Sequence, residues 1–148
     1  MVNVEVCYTR DMETICPVEG GDWIDIAIPN NVYVQKGEYY EIPLGFSMAI
    51  PEGYEAHVLP RSSTFKKWGI LLANSMGIID HTYCGPDDIW RFPAYATRNA
   101  LIPAGTRIAQ FRLVKNQEPV TIKVVATNNR LNRGGIGSTG ESIRDIND

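Results

Sequence analysis

Over most of the chain, apolar side chains recur at every second position, and this periodicity restricts the fold more than any other feature. Val2, Val4 and Val6 alternate with Asn3, Glu5 and Cys7. Leu44, Phe46, Met48 and Ile50 alternate with the small Gly45, Ser47 and Ala49. Ala109, Phe111 and Leu113 flank Gln110 and Arg112, and Val120, Ile122 and Val124 flank Thr121 and Lys123. Successive side chains of an extended strand face opposite sides of a sheet, so each run predicts a half-buried strand. Turn-forming clusters separate the runs: PNN at 29–31, KGE at 36–38, PEG at 51–53, PAG at 103–105 and NQEP at 116–119. Many short strands with regular turns predict an all-β sandwich or barrel. Only RSSTFKKWGILLANS, residues 61–75, favours helix, and its length allows one or two turns.

The pattern fades near the C-terminal end. Beyond about Asn128, four glycines and scattered polar residues leave Leu131, Ile136, Ile143 and Ile146 as the sizeable apolar groups. Such a segment buries too little surface to offset its ordering entropy, so it is expected to form a flexible arm, residues 129–148, on a core of residues 1–128. With 148 residues, 44% of them hydrophobic, the chain suffices for one domain with a substantial core. The formal net charge of −3 argues against coating nucleic acid or an anionic membrane. The longest apolar runs, such as GILLA at 69–73, are too short to span a bilayer, and the N-terminus has no secretory pattern. Cys7, Cys16 and Cys84 are odd in number and form no C-x-x-C pair, and His57 and His81 lie far apart. Neither a disulfide framework nor a zinc site is expected; buried or half-buried thiols in a reducing cytoplasm are.

Gly135, Gly137 and Gly140 spell the G-x-G-x-x-G of a dinucleotide fold, but a few polar residues follow where a βαβ unit is required, and no Lys follows as a P-loop needs. Closely spaced glycines with Ser138 and Thr139, downstream of Arg130 and Arg133, suit a nest of N–H groups around an anion. PRSSTFKKWG, residues 60–69, places a guanidinium, hydroxyls and two lysines where a strand passes into a helical turn, a second setting for phosphate oxygens. In ANSMGIIDHTYCG, residues 73–85, Asp80 ends an apolar strand, where a carboxylate facing a cleft can hold a water.

Taken in order, WIDI, PRSSTFKKWG, NSMGIIDHTYCG, RIAQFRLV and GGIGSTG resemble the five motifs of the trimeric dUTPase family, from about residue 21 to residue 140. GDWID and GPDDIW are especially similar to the subgroup found in Gram-positive bacteria and their phages. The resemblance implies a β jelly roll (β-clip) with at most one short helix. It also implies a homotrimer with three sites, each built from all three chains and closed by the C-terminal arm of a neighbour. The implied reaction is hydrolysis of dUTP to dUMP and pyrophosphate, which keeps uracil out of DNA and supplies dUMP for thymidylate synthesis. The implied cofactor is Mg²⁺, held by substrate phosphates and waters with no direct protein ligand, and the implied setting is a bacterial or phage-infected cytoplasm.

Roles carry over by position. Asp80 matches the carboxylate that aims a water at the α-phosphorus, Gln110 the residue that helps hold that water, and Asp25 the acid supporting the site near the metal. Ser62 matches a phosphate-binding hydroxyl beside Ser63, and Arg61 is read as an inter-subunit, structural charge. Asn74, Gly77, Ile79 and the rest of the 74–83 hairpin match the uracil pocket, and Tyr83 the deoxyribose platform. Gly137, Ser138 and Thr139 match the arm's grip on the β- and γ-phosphates. Ordering such an arm costs about 1–2 kcal/mol per residue, against roughly 1.5–3 kcal/mol for each charge-assisted hydrogen bond it makes.

Two positions depart from the family. Ile136 stands where most members stack a Phe on uracil, which leaves Phe92 or the Arg91 guanidinium to cover the base. Leu131 stands where an Arg is usual, which leaves Arg133, or else Arg130, to meet the γ-phosphate. Two other functions compete: a dCTP deaminase, whose surrounding pattern is missing around CGPDDIWRF, and a dUTP-responsive protein engaging a regulatory partner through residues 8–18 or 82–99.

Overall fold

The computed structural model describes residues 1–135, 137 and 140; the expectations placed on Ile136, Ser138 and Thr139 lie outside the described residues. Extended structure dominates. The elements run β1 (Glu5–Tyr8), β2 (Ile15–Cys16), β3 (Ile24–Ala27), β4 (Val32–Val34), β5 (Tyr39–Pro43), β6 (Phe46–Ala49) and β7 (Tyr54–Pro60). There follow the short helix α1 (Thr64–Trp68), β8 (Ile70–Leu72), β9 (Gly77–Asp80), β10 (Arg91–Ala96), β11 (Ala100–Ile102) and β12 (Arg107–Lys115). The chain divides into two units, Met1–Gln117 and Glu118–Asp148, and among the described residues every strand lies in the first.

Five strands form the largest sheet, in the order β2-β3-β12-β7-β9, and β5-β10-β8 form a second; β1-β6 and β11-β4 are separate pairs. All the pairings are antiparallel. One face of each strand supplies the core. Ile26, Ala56, Val58, Ala109 and Phe111 from the large sheet meet Ile42, Phe92, Ala94 and Ile70 from the second, all essentially buried. At the centre Trp90 lies between Phe46 and Phe111, with ring centroids 4.9 and 5.3 Å away. The second contact is edge-to-face, the arrangement aromatic quadrupoles favour.

The helix is one short piece, as its window predicts, and it ends at Gly69, whose φ of 68° is left-handed. Gly69 is doubly constrained, because a Cβ there would fall 2.6 Å from Cγ of Arg98.

Two expectations from alternation fail. Val120, Ile122 and Val124 form no strand and are 67%, 83% and 91% exposed. Val2 and Val4 precede β1 and are also exposed. Alternation specifies which side chains share a face, but a strand also requires a neighbour to receive its N–H and C=O groups. The cysteines differ as well: Cys7 and Cys84 are exposed thiols, and Cys16 alone is half-buried.

Candidate functional site

Asp25 and Gln110 are cross-strand partners on β3 and β12, so their side chains leave the same face of the large sheet. They line an open cavity of about 410 Å³ together with Asp22, Trp23, Arg61 and Ser62. The Gln110 carboxamide donates to the Pro60 carbonyl at 3.0 Å, which ties it to the end of β7 where the 61–64 segment departs. Asp25 is buried although it faces outward, and its Oδ2 lies 3.3 Å from Nε of Arg61 and 3.4 Å from Nη1 of Arg107. Two guanidiniums therefore share one carboxylate oxygen. A second pair edges the cavity: Arg112 meets Asp22 at 2.7 Å and lies over the Trp23 ring, 5.4 Å from its centroid.

The 61–64 segment is pinned from below. Thr64, 1% exposed, donates its hydroxyl to the Ile108 carbonyl at 2.7 Å and accepts the Arg61 N–H at 3.1 Å. The Arg61 N–H also reaches the Ile108 carbonyl at 3.3 Å. Ser63 stands at the N-cap without a side-chain capping bond, and Ser62 is exposed at the cavity wall.

A second cavity, about 170 Å³, gathers Asn74, Gly77, Ile79, Tyr83 and Arg91. Its wall is not the hairpin expected for residues 74–83: β9 pairs with β7 and β8 with β10, so the segment is one strand between two turns. Ser75 makes the first turn at a φ of 65°. At Gly77 any Cβ would approach that of Val58 to 3.1 Å, so the bare backbone lets β9 lie close against β7. The Tyr83 hydroxyl donates to the Ile89 carbonyl at 3.1 Å, which fixes the ring at the rim. Phe92 does not cover this cavity: alternation along β10 turns it into the core, fully buried, and leaves Arg91 on the cavity side.

Asp80 lines neither cavity. It ends β9 with its side chain 59% exposed rather than turned into a cleft of its own chain. Thr82 donates both its hydroxyl and its N–H to Oδ2, the latter at 3.4 Å, and His81 Nδ1 lies 3.4 Å from Oδ1. The Thr82 hydroxyl bond is the chief reason that the Asp80 carboxyl titrates below its ordinary range. The group is therefore an anion at neutral pH and accepts a hydrogen bond from water.

Register measures how far Asp80 lies from Gln110. Asp80 pairs with Glu55 and Glu55 with Val114, four residues along β12 from Gln110. Four strand rises and two strand spacings place the Asp80 and Gln110 Cα atoms roughly 17 Å apart. One chain holds them on the same sheet face but beyond reach of a common water.

In the second unit Arg133 is exposed, Gly137 has a φ of 84°, and Gly140 donates its N–H to the Gly137 carbonyl at 3.0 Å. Two supporting residues escaped the sequence reading: Thr64, whose hydroxyl gives no periodic signal, and Arg107, whose partner lies 82 residues away. Among the described residues no group of three or more His, Cys, Asp or Glu side chains is placed to hold a metal, and no helix is long and apolar enough to cross a membrane.

This all-β frame, with one anion-suited cavity and a smaller one rimmed by Tyr83, matches a known nucleotide-hydrolysing fold. The dUTPase family model matches residues 20–140. A deoxyuridine 5'-triphosphate nucleotidohydrolase derived from the SPbeta prophage of Bacillus subtilis, YosS, is 46% identical over 140 residues, 94% of this chain and 99% of that protein. The dUTPase of Staphylococcus bacteriophage 80alpha, solved with dUPNHPP, superposes with a TM-score of 0.76 at 19% identity over 94% of this chain and 99% of that one. A mutant dUTPase from phage phi11 of S. aureus, described with a structural Mg(II) ion, superposes with a TM-score of 0.68 at 17% identity over 86% and 99%. The chain belongs to the dUTPase family.

Proposed function

We propose that the chain hydrolyses dUTP to dUMP and pyrophosphate, in a site assembled between copies of itself. The observation that carries the activity is 46% identity, over nearly the full length of both chains, with a deoxyuridine triphosphate nucleotidohydrolase. The geometry agrees with it. The larger cavity supplies the Arg61 guanidinium and the Ser62 hydroxyl for phosphate oxygens, with Ser63 beside it at the start of α1. The smaller supplies Asn74, the 77–79 backbone and Ile79 for the uracil edge, with Tyr83 beneath the sugar and Arg91 above the base. A tyrosine ring under the sugar leaves no space for a ribose 2'-hydroxyl, and a pocket that hydrogen-bonds the base edge can reject cytosine by about 10⁴.

Asp80 and Gln110 orient the attacking water for in-line displacement at the α-phosphorus. A separation of roughly 17 Å within a chain supports the reading that they come from different copies. A heterologous contact that closes as a ring, here a homotrimer, brings β9 of one chain against β12 of the next. The arm, residues 129–148, is assigned to close over a neighbour's site, with Arg133, Gly137, Ser138 and Thr139 on the outer phosphates.

Mg²⁺ fits this site as part of the substrate complex. Both carboxylates of the larger cavity, Asp22 and Asp25, are ion-paired with arginine, which suits them to contact a metal's water shell rather than to cage the ion. When bound, Mg²⁺ supplies neutralisation of the triphosphate charge. The setting assigned is the cytoplasm, where deoxynucleoside triphosphates are made.

Chromatographic detection of dUMP and pyrophosphate from dUTP and Mg²⁺, with dCTP and ammonia release assayed in parallel, tests the assignment. Release of ammonia from dCTP, or intact dUTP, overturns it.

A further inference from the structure

We propose that Arg107 is a positioning residue for the polyphosphate site, acting through Asp25 on Arg61. The inference rests on the triphosphate reading above and adds to it a residue outside both cavities.

The backbone first decides where Arg107 points. β12 pairs with β3 as Gln110↔Asp25 and Ala109↔Ile26, and then slips, so that Arg107 rather than Ile108 lies opposite Ala27. The extra residue is a bulge, and bulges re-aim the side chains beside them. In an unbroken ladder Ile108 would share the outward face with Gln110, and Arg107 would point into the core. With the bulge, Ile108 is fully buried, and Arg107 lies on the face that carries Asp25 and Gln110.

Charge then decides what Arg107 does. Asp25 is buried and has two cations on one oxygen, Arg61 Nε at 3.3 Å and Arg107 Nη1 at 3.4 Å. Arg61 is held a second time, by donation from Nη1 to the Arg107 main-chain carbonyl at 3.2 Å. With Nε on the carboxylate and Nη1 on that carbonyl, Arg61 keeps its remaining donors for the cavity it lines with Ser62 and Gln110. The three side chains together carry one net positive charge. Arg107 keeps Asp25 anchored and shares its negative charge, so Arg61 is neither fully neutralised nor released. Without Arg107, Asp25 pairs with Arg61 alone, and that charge is cancelled where the phosphates bind.

The expected signature is a loss of anion affinity with turnover largely kept. For Arg107→Met, KM for dUTP rises about tenfold and kcat stays within about threefold, as for one lost charge-assisted bond. Arg107→Lys, which keeps a point charge on a flexible stem, recovers most of the affinity. In an Asp25→Asn background the Arg107→Met effect shrinks to within about twofold, because the carboxylate through which it acts is gone. Affinity for inorganic tripolyphosphate, measured by calorimetry on the folded wild type and the same variants, falls in the same order. That measurement judges Arg107 even if the wild type leaves dUTP intact, a result that sinks the hydrolase reading alone. The proposal is overturned if Arg107→Met leaves KM and tripolyphosphate affinity within twofold of wild type, if Lys fails to rescue, or if the effect persists undiminished without the Asp25 carboxylate.

Discussion

Two inactive chains should restore activity to one another. Asp80 and Gln110 lie roughly 17 Å apart by strand rise and spacing. A bridging water and two fully extended side chains span only about 13 Å with ordinary hydrogen-bond lengths. In the proposed site, each catalytic water is held by Asp80 of one copy and Gln110 of another. Asp80→Asn and Gln110→Ala are each expected to lower dUTP turnover by about two orders of magnitude, the range for loss of a proton-handling or water-positioning group. When the variants are co-assembled at equal amounts, a site is restored whenever the chain giving position 80 is the Gln110→Ala variant and its neighbour is the Asp80→Asn variant. In a ring of three that holds both variants, one junction of the three has that order, so about a third of wild-type activity returns. Differently tagged chains, refolded together and purified through both tags, provide the material, and initial rates at saturating dUTP provide the readout. Were the two residues to serve the same site from one chain, no mixed ring would contain an intact pair. Activity that stays at the mean of the two parents would refute the cross-chain argument.

Thr64→Val removes a buried hydroxyl that bonds both the Ile108 carbonyl and the Arg61 N–H. Those two groups still bond one another at 3.3 Å, so the expected loss is about 1–2 kcal/mol, or about 2–8 °C in melting temperature at fixed protein concentration. An unchanged melt would show that the hydroxyl does not pin the segment. Thr82→Val removes the bond that chiefly holds the Asp80 carboxyl below its ordinary range. The pKa of Asp80 should therefore rise, and the acid limb of the kcat/KM profile should move to higher pH; an unmoved limb separates Thr82 from the titrating group. Removing residues 130–148 should preserve the assembly by sedimentation yet cut turnover sharply, and full activity in the shortened chain would contradict the arm's assigned role.

The larger part of the architecture can be read from the residues alone. Alternation in 44–50 and 109–113 fixes which side chains turn inward, and Phe46, Met48, Ala109 and Phe111 are buried accordingly. Glycine and proline clusters mark the turns, and the five ordered segments place Asp25, Arg61, Ser62, Asn74, Asp80 and Gln110 in one family pattern. The same alternation misleads at Val120–Val124, because it records faces and not partners. Pairing joins segments far apart in the chain, and only the folded molecule fixes it. Tertiary structure alone puts Gln110 opposite Asp25, slips the ladder so that Arg107 turns outward, and sends Phe92 into the core while Arg91 edges a cavity. It also sets the span from Asp80 to Gln110, since a distance between two residues of a sheet depends on how many strands lie between them. A periodic sequence states which way each side chain points; the long-range ladder decides what it meets there.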